Sequence, residues 1–203
     1  MHGYPIPAET IRIENHVVNS HFIATIGPAQ TVEAAKAFIV AVRQEMPDAT
    51  HHVYAYRVGY GSSVIEGMTD DGEPSGTAGP PVLAVLRGAD LGDVVIVVTR
   101  YFGGTKLGTG GLVRAYGDAA RAALAALPLG RRIDKSTVGI EIDYPLYERL
   151  ERLLPEYEAV IDDREFAAGV TLYVTLPTDR LDALTQAILD LTAGRVRPTL
   201  LDT

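Results

Sequence analysis

Five glycines fall within nine residues, Gly103, Gly104, Gly108, Gly110 and Gly111, between the apolar run Val94-Val95-Ile96-Val97-Val98 and an amphipathic stretch opening at Leu112. One or two would suffice to turn a chain. Five together permit positive φ and close backbone approach, and a glycine loop that feeds a helix offers free N–H groups and a positive dipole end to an anion. Val94–Val98 suits a central strand covered on both faces. From Leu112, the residues Leu112, Tyr116, Ala119, Ala120, Ala123 and Leu127 share one helical face, opposite Arg114, Asp118 and Arg121.

Other segments keep helix and strand rhythms. In residues 30–46, Ala35, Phe38, Ile39, Val42 and Met46 recur at helical spacing, with Pro47 beyond as a stop. Ser20–Ile26 and Val53–Val58 alternate as half-buried strands do, and Val82–Arg87 reads as a short helix. The polar stretch GRRIDKS after Pro128-Leu129 marks a boundary, which predicts domains at residues 1–133 and 134–203. In the second part Val138, Ile140 and Ile142 alternate, and Pro145 opens a helix with Leu146, Leu150 and Leu153 on one face. A strand at Tyr157–Ile161 follows, then alternating Val170, Leu172, Val174 and Leu176. Thr178 is placed to cap a helix burying Leu181, Leu184, Ile188 and Leu191, and Val196–Leu201 forms a last strand. That order, βαββαβ, is the split-βαβ sandwich. The class is α+β, in two domains.

Charge narrows the partners. The net charge is −8, with 11 basic and 12 acidic side chains in residues 1–133 against 7 and 14 in residues 134–203. An acidic chain repels phosphate at long range, so any anion site is local and lies in the first part. With no cysteine, thiolate nucleophiles, thiolate metal sites and disulfides are excluded. No membrane-length apolar run and no leader pattern is present, which places the protein in the cytoplasm with no membrane partner.

The glycine loop supplies the first candidate site, for an anion or nucleic acid. Arg100 and Lys106 add charges to the loop amides, Tyr101 or Phe102 offers a stacking surface, and Arg114 extends a basic strip along the helix. The spacing is neither that of a Walker loop nor that of a dinucleotide fingerprint. The competing reading is a tight loop with Arg100 in a structural ion pair.

A second loop, residues 70–81, leads into the short helix. Its Asp71 and Glu73 fall on one face of an extended stretch, as a magnesium ion bridging to phosphate would need, with Ser75, Gly76 and Thr77 beyond as donors to phosphate oxygens. The alternative is that Ser75 or Thr77 caps the helix and the carboxylates are solvated or pair with Arg100. His51 and His52 are adjacent in a strand and leave opposite faces, so at most one reaches a site as base or donor. Ser20 lacks the elbow context of a nucleophile. No catalytic residue, dedicated metal site or cofactor is assigned.

The stretch GDVVIVVTRYFGGTKLGTGGLVRAY at 92–116 occurs with SHFIA at 20–24, ATHHVYAYRVG at 49–59 and DDGEPSGTAGPPV at 70–82. These four ordered blocks resemble the YigZ/Impact family over residues 18–127. His21 stands where the family usually has Arg or Lys. The resemblance implies a first domain with the βαβ fold shared by a small-subunit ribosomal protein, elongation factor G and the GHMP kinases. It also implies a ferredoxin-like second domain akin to another elongation-factor module. Eukaryotic Impact proteins regulate translation with the help of an extra N-terminal RWD domain, so their mechanism does not transfer.

Two functions stay open: a module that meets RNA, the ribosome or a translation factor through the basic glycine loop, and a nucleotide- or phosphate-binding enzyme that uses both loops and magnesium. Oligomeric state is not encoded legibly.

Overall fold

The run Val94–Val98 is apolar throughout because two layers of helix cover it. The computed structural model describes residues 3–201. The chain divides into two compact units, one from Tyr4 to Arg132 and one that joins Gly3 to the residues from Ile133 onward.

The first unit opens with β1 (Gly3–Pro7), β2 (Ile11–Val17) and β3 (Ser20–Pro28). Helix α1 (Val32–Glu45) and β4 (His51–Val58) follow, then β5 (Ile65–Thr69) and α2 (Gly79–Arg87). The unit closes with β6 (Val94–Tyr101), α3 (Gly108–Ala126) and β7 (Leu129–Ile133). Five strands form one sheet in the order β2-β3-β6-β4-β5, with every neighbouring pair antiparallel. Strands β3 and β4, joined through α1, are thus parallel with β6 between them, a split βαβ. Alternate residues of β6 leave opposite faces. Val94, Ile96 and Val98 pack with Phe22, Ile26, Leu86, Leu112 and Tyr116 under α2 and α3. Val95 and Val97 pack with Ile23, Ala35, Ile39 and Val42 under α1.

Three elements differ from the sequence reading. Helix α3 starts at Gly108, about a turn before Leu112, because tertiary packing overrides the poor helix propensity of Gly108, Gly110 and Gly111. Helix α2 likewise starts at Gly79, ahead of Val82. The segment read as a polar linker contains β7, which pairs with β1 in a two-stranded ribbon.

Asp93 ties that ribbon to the large sheet. It has a positive φ of 51° and a residue exposure of 1%. Its Oδ1 accepts the Gly59 N–H at 2.8 Å, and its Oδ2 accepts the Tyr4 hydroxyl at 2.8 Å and the Arg132 guanidinium at 2.6 Å.

The second unit runs β8 (Lys135–Ile142), α4 (Tyr144–Leu153), β9 (Val160–Phe166), β10 (Val170–Pro177), α5 (Leu181–Leu191) and β11 (Thr199–Leu201). The sheet order β11-β8-β10-β9 is that of the split-βαβ sandwich. Its core joins Val138, Ile140, Leu172 and Val174 to Leu150, Leu184 and Ile188. Tyr157 belongs to a 3-10 turn rather than to β9, and the last strand is shorter than the alternation implies. Thr178 does not cap α5: its hydroxyl bonds Ser136 at 2.8 Å, and a 3-10 turn intervenes. Among the described residues no helix is long and apolar enough to cross a membrane.

Asp93→Ala removes the acceptor of three donors at a buried position. It is expected to lower stability by about 3 kcal/mol, seen as a lower urea midpoint with an unchanged slope.

Candidate functional site

The carboxyl end of β6 delivers Arg100 to the face that Ile96 and Val98 occupy, beneath α3, and Tyr101 to the opposite one. Arg100 is therefore not exposed: its side chain retains 4% of its accessible surface. One terminal nitrogen donates to Glu73 Oε1 at 2.6 Å and the other to Ser20 Oγ at 3.1 Å. Its guanidinium carbon lies 5.4 Å from the Phe22 ring centroid and 5.3 Å from that of Phe102, so the planar cation has an aromatic ring on two sides. Arg100 Nε is buried without a partner.

Glu73 reaches this spot because Asp70 organises the loop before α2. Asp70 Oδ1 accepts the amides of Ala78 and Gly79 at 2.9 and 2.8 Å, and its Oδ2 accepts that of Gly76 at 2.8 Å. Burial works to raise the Asp70 carboxyl, but the amides of Gly76, Gly79 and Ala78 outweigh it and hold the group below its ordinary value. Asp70, rather than Ser75 or Thr77, thus satisfies the start of α2. Ser75 is exposed, Gly76 adopts φ 82°, and Thr77 is buried with its hydroxyl on the Pro74 carbonyl at 2.6 Å.

The magnesium pair expected of Asp71 and Glu73 does not form, because each carboxylate is engaged elsewhere. Asp71 pairs with Arg43 and accepts the His52 amide at 2.6 Å. Glu73 is buried, and its Oε1 receives Arg100 together with the Tyr116 hydroxyl at 2.7 Å. Burial first, then the bond to Glu73, pushes that hydroxyl far above its ordinary value, so it stays a donor. Among the described residues no group of three His, Asp or Glu is arranged to hold a metal.

The histidine pair divides as strand geometry requires. His52 is buried between Thr99 and the Met46 carbonyl, at 3.1 Å from each, and burial lowers its pKa. His51 faces the Arg100 side. Its Nδ1 donates to the Asp71 carbonyl at 2.8 Å, and its Nε2 stands 3.8 Å from Glu73 Oε1. Ser20 Oγ accepts from Arg100 and lies 3.4 Å from the Gly103 amide, a structural role rather than a nucleophilic one.

Above this cluster lies a cavity of about 400 Å³, lined by Thr50, His51, Glu73, Arg100, Phe102, Lys106 and the first residues of α3. Helix α3 has Leu107 at its N-cap, no side-chain cap and no acidic residue in its first turn. By helix geometry its first amides have no intrahelical acceptor. Lys106 is exposed beside them, and Phe102 keeps 45% of its surface.

The glycines differ in purpose. A Cβ at Gly103 would stand 1.8 Å from the Asn19 carbonyl oxygen, so only glycine lets the loop lie on the β2–β3 turn. Gly104 and Gly108 take positive φ, and Gly110 and Gly111 lie in the first turn of α3. Tyr101 and Arg114 fall outside the cavity. Tyr101 packs toward α1 with its hydroxyl on Asp48 at 3.1 Å, whereas Arg114 lies exposed on the α2–α3 groove. Tyr116 was legible only as core, although a buried tyrosine hydroxyl needs a partner.

A larger depression of about 760 Å³ in the second unit is lined by charges of both signs, with Arg195 paired to Asp143 at 3.4 Å.

Residues 18–124 match the Impact N-terminal domain, more than half of the chain. The chain belongs to the IMPACT family. Residues 140–195 match a domain of unknown function, DUF1949. The IMPACT family member YigZ of Escherichia coli is 37% identical over 198 residues, covering 97% of each chain. An IMPACT family member of Thermus thermophilus is 38% identical over 181 residues, 89% of this chain and 97% of its own. A crystal structure titled only as a hypothetical protein aligns with 100% of this chain and 98% of its own, at a TM-score of 0.73 and 36% identity.

Two stability predictions follow from this geometry. Arg100→Met strands the Glu73 carboxylate and is expected to cost about 3 to 5 kcal/mol, whereas the double variant Arg100→Met/Glu73→Leu recovers most of that loss in urea unfolding. Because the Asp70 carboxyl titrates low in the folded protein, its contribution is full above the ordinary carboxylate pKa and disappears as pH falls through the lowered value. The stability gap between wild type and Asp70→Asn should therefore narrow on acidification.

Proposed function

We propose that the protein is a translation-associated binding module that takes phosphate groups of RNA at the start of α3. The resemblance to a family whose eukaryotic members regulate translation supports this class of partner. The observation that carries the site is the uncapped first turn of α3, which opens with Lys106 onto the 400 Å³ cavity. Phe102 at the rim gives a base a surface on which to stack.

Arg100 contributes no net charge to a ligand, because Glu73 neutralises it. The exposed cations near the helix start are Lys106 and Arg114, and no ion pair among the described residues engages either. Two phosphate contacts on a single strand give a log-log salt slope near −1.4, roughly a sevenfold loss between about 50 and 200 mM salt. Local contacts of this kind suit a chain of net charge −8, which does not gather nucleic acid indiscriminately.

Fluorescence anisotropy of a labelled single-stranded RNA across salt concentrations tests the reading. Wild type should follow the shallow slope, and Lys106→Ala should weaken binding several-fold while flattening it. Binding that ignores both salt and Lys106→Ala would reject the site.

A further inference from the structure

Glu73 presents a feature that phosphate binding alone leaves unexplained. Its side chain is 96% buried, yet both of its hydrogen bonds, from Arg100 and Tyr116, converge on Oε1. No donor among the described residues reaches Oε2. Arg100 Nε is the one fully enclosed side-chain polar atom without a partner among those residues, so Glu73 Oε2, also without one, borders accessible space. The space Glu73 lines is the cavity at the start of α3. An acceptor oxygen held in place on a carboxylate and open to the cavity is available to a donor from a ligand.

The cavity therefore offers two opposite chemistries a short distance apart. The α3 amides and Lys106 suit an anion. Glu73 Oε2 suits a hydroxyl or N–H, and it repels a second anionic oxygen. His51 lines the cavity beside this carboxylate, with its Nδ1 on the Asp71 carbonyl at 2.8 Å and its Nε2 3.8 Å from Glu73 Oε1. A ligand that meets all of these carries a phosphate with a hydroxyl close beside it. In a nucleic acid that hydroxyl is the ribose 2′-OH, which lies next to the 3′-phosphate, whereas the base edges lie farther away and face Phe102. A cavity of about 400 Å³ has room for one such unit.

We propose that this cavity distinguishes ribose from deoxyribose: the phosphate of one ribonucleotide rests on the α3 amides and Lys106, and its 2′-hydroxyl donates to Glu73 Oε2. The proposal rests on the phosphate reading above and goes beyond it, because backbone amides and Lys106 alone would hold DNA and RNA equally.

The test compares labelled oligoadenylates of one length as RNA, DNA and 2′-O-methyl RNA, by anisotropy at fixed low salt. A hydrogen bond to a charged acceptor predicts that wild type binds the RNA about ten- to a hundredfold more tightly than either strand lacking the hydroxyl proton. Lys106→Ala should weaken RNA and DNA together and leave their ratio unchanged. Glu73→Gln, with its fold checked by circular dichroism and melting, should shrink the ratio. The sugar comparison on wild type needs no variant, so a misfolded Glu73→Gln does not remove the test. Equal binding of all three strands overturns the proposal and leaves the phosphate reading standing. Failure to bind any of them overturns both.

Discussion

The pairing of Arg100 with Glu73 holds the first unit's functional end together. It joins the end of β6 to the loop before α2, recruits the middle of α3 through Tyr116, and reaches β3 through Ser20. Taking two charges out of water costs so much that such a pair adds little net stability over an apolar replacement of equal volume. What it does is fix position. With Phe22 and Phe102 flanking the guanidinium, the cation is held in place, and Glu73 Oε1 receives both Arg100 and Tyr116.

The same pairing leaves the cavity at the start of α3 without a free buried cation. A free arginine at this depth would dominate the local field. Its neutralisation leaves backbone dipoles and one exposed lysine, groups whose reach ends within about a turn of the helix. Any attraction these groups exert on an anion is short-ranged, so geometry weighs more than charge there. The large negative excess sits in the residues after 133, away from the glycine loop in sequence.

Much of the architecture was legible because apolar rhythm follows directly from which faces are covered. Val94–Val98 has no polar member since α1 lies on one side and α2 with α3 on the other. Leu112, Tyr116, Ala119, Ala120 and Ala123 mark the buried face of α3, but glycine's weak preference concealed its first turn. Strands β1, β2 and β7 escaped notice because they are short or partly exposed, and their alternation is diluted. Within the site, Phe102, Lys106 and the glycines were identifiable from residue type. For Arg100 the sequence left two readings, a cation for a ligand and a member of a structural ion pair, and its position two residues after Val98 on the face that α3 covers goes with the second. Asp71 and Glu73 looked like a matched pair in an extended stretch, but Asp71 adopts φ 45° and the two side chains turn to different neighbours. Pairing of a carboxylate of this loop with Arg100 stood among the sequence alternatives; that Glu73 rather than Asp71 makes it needed the tertiary fold.

Strand β9 closes one side of the second unit's sheet, with no further strand beside it among the described residues. Asp162, Asp163, Arg164 and Glu165 follow one another along it, and all are exposed. A strand's open backbone is a template on which another chain can assemble, and a row of charges makes each added copy confront like with like. The charges along this border, part of what makes this half of the molecule so acidic, therefore disfavour edge-to-edge stacking of copies in register.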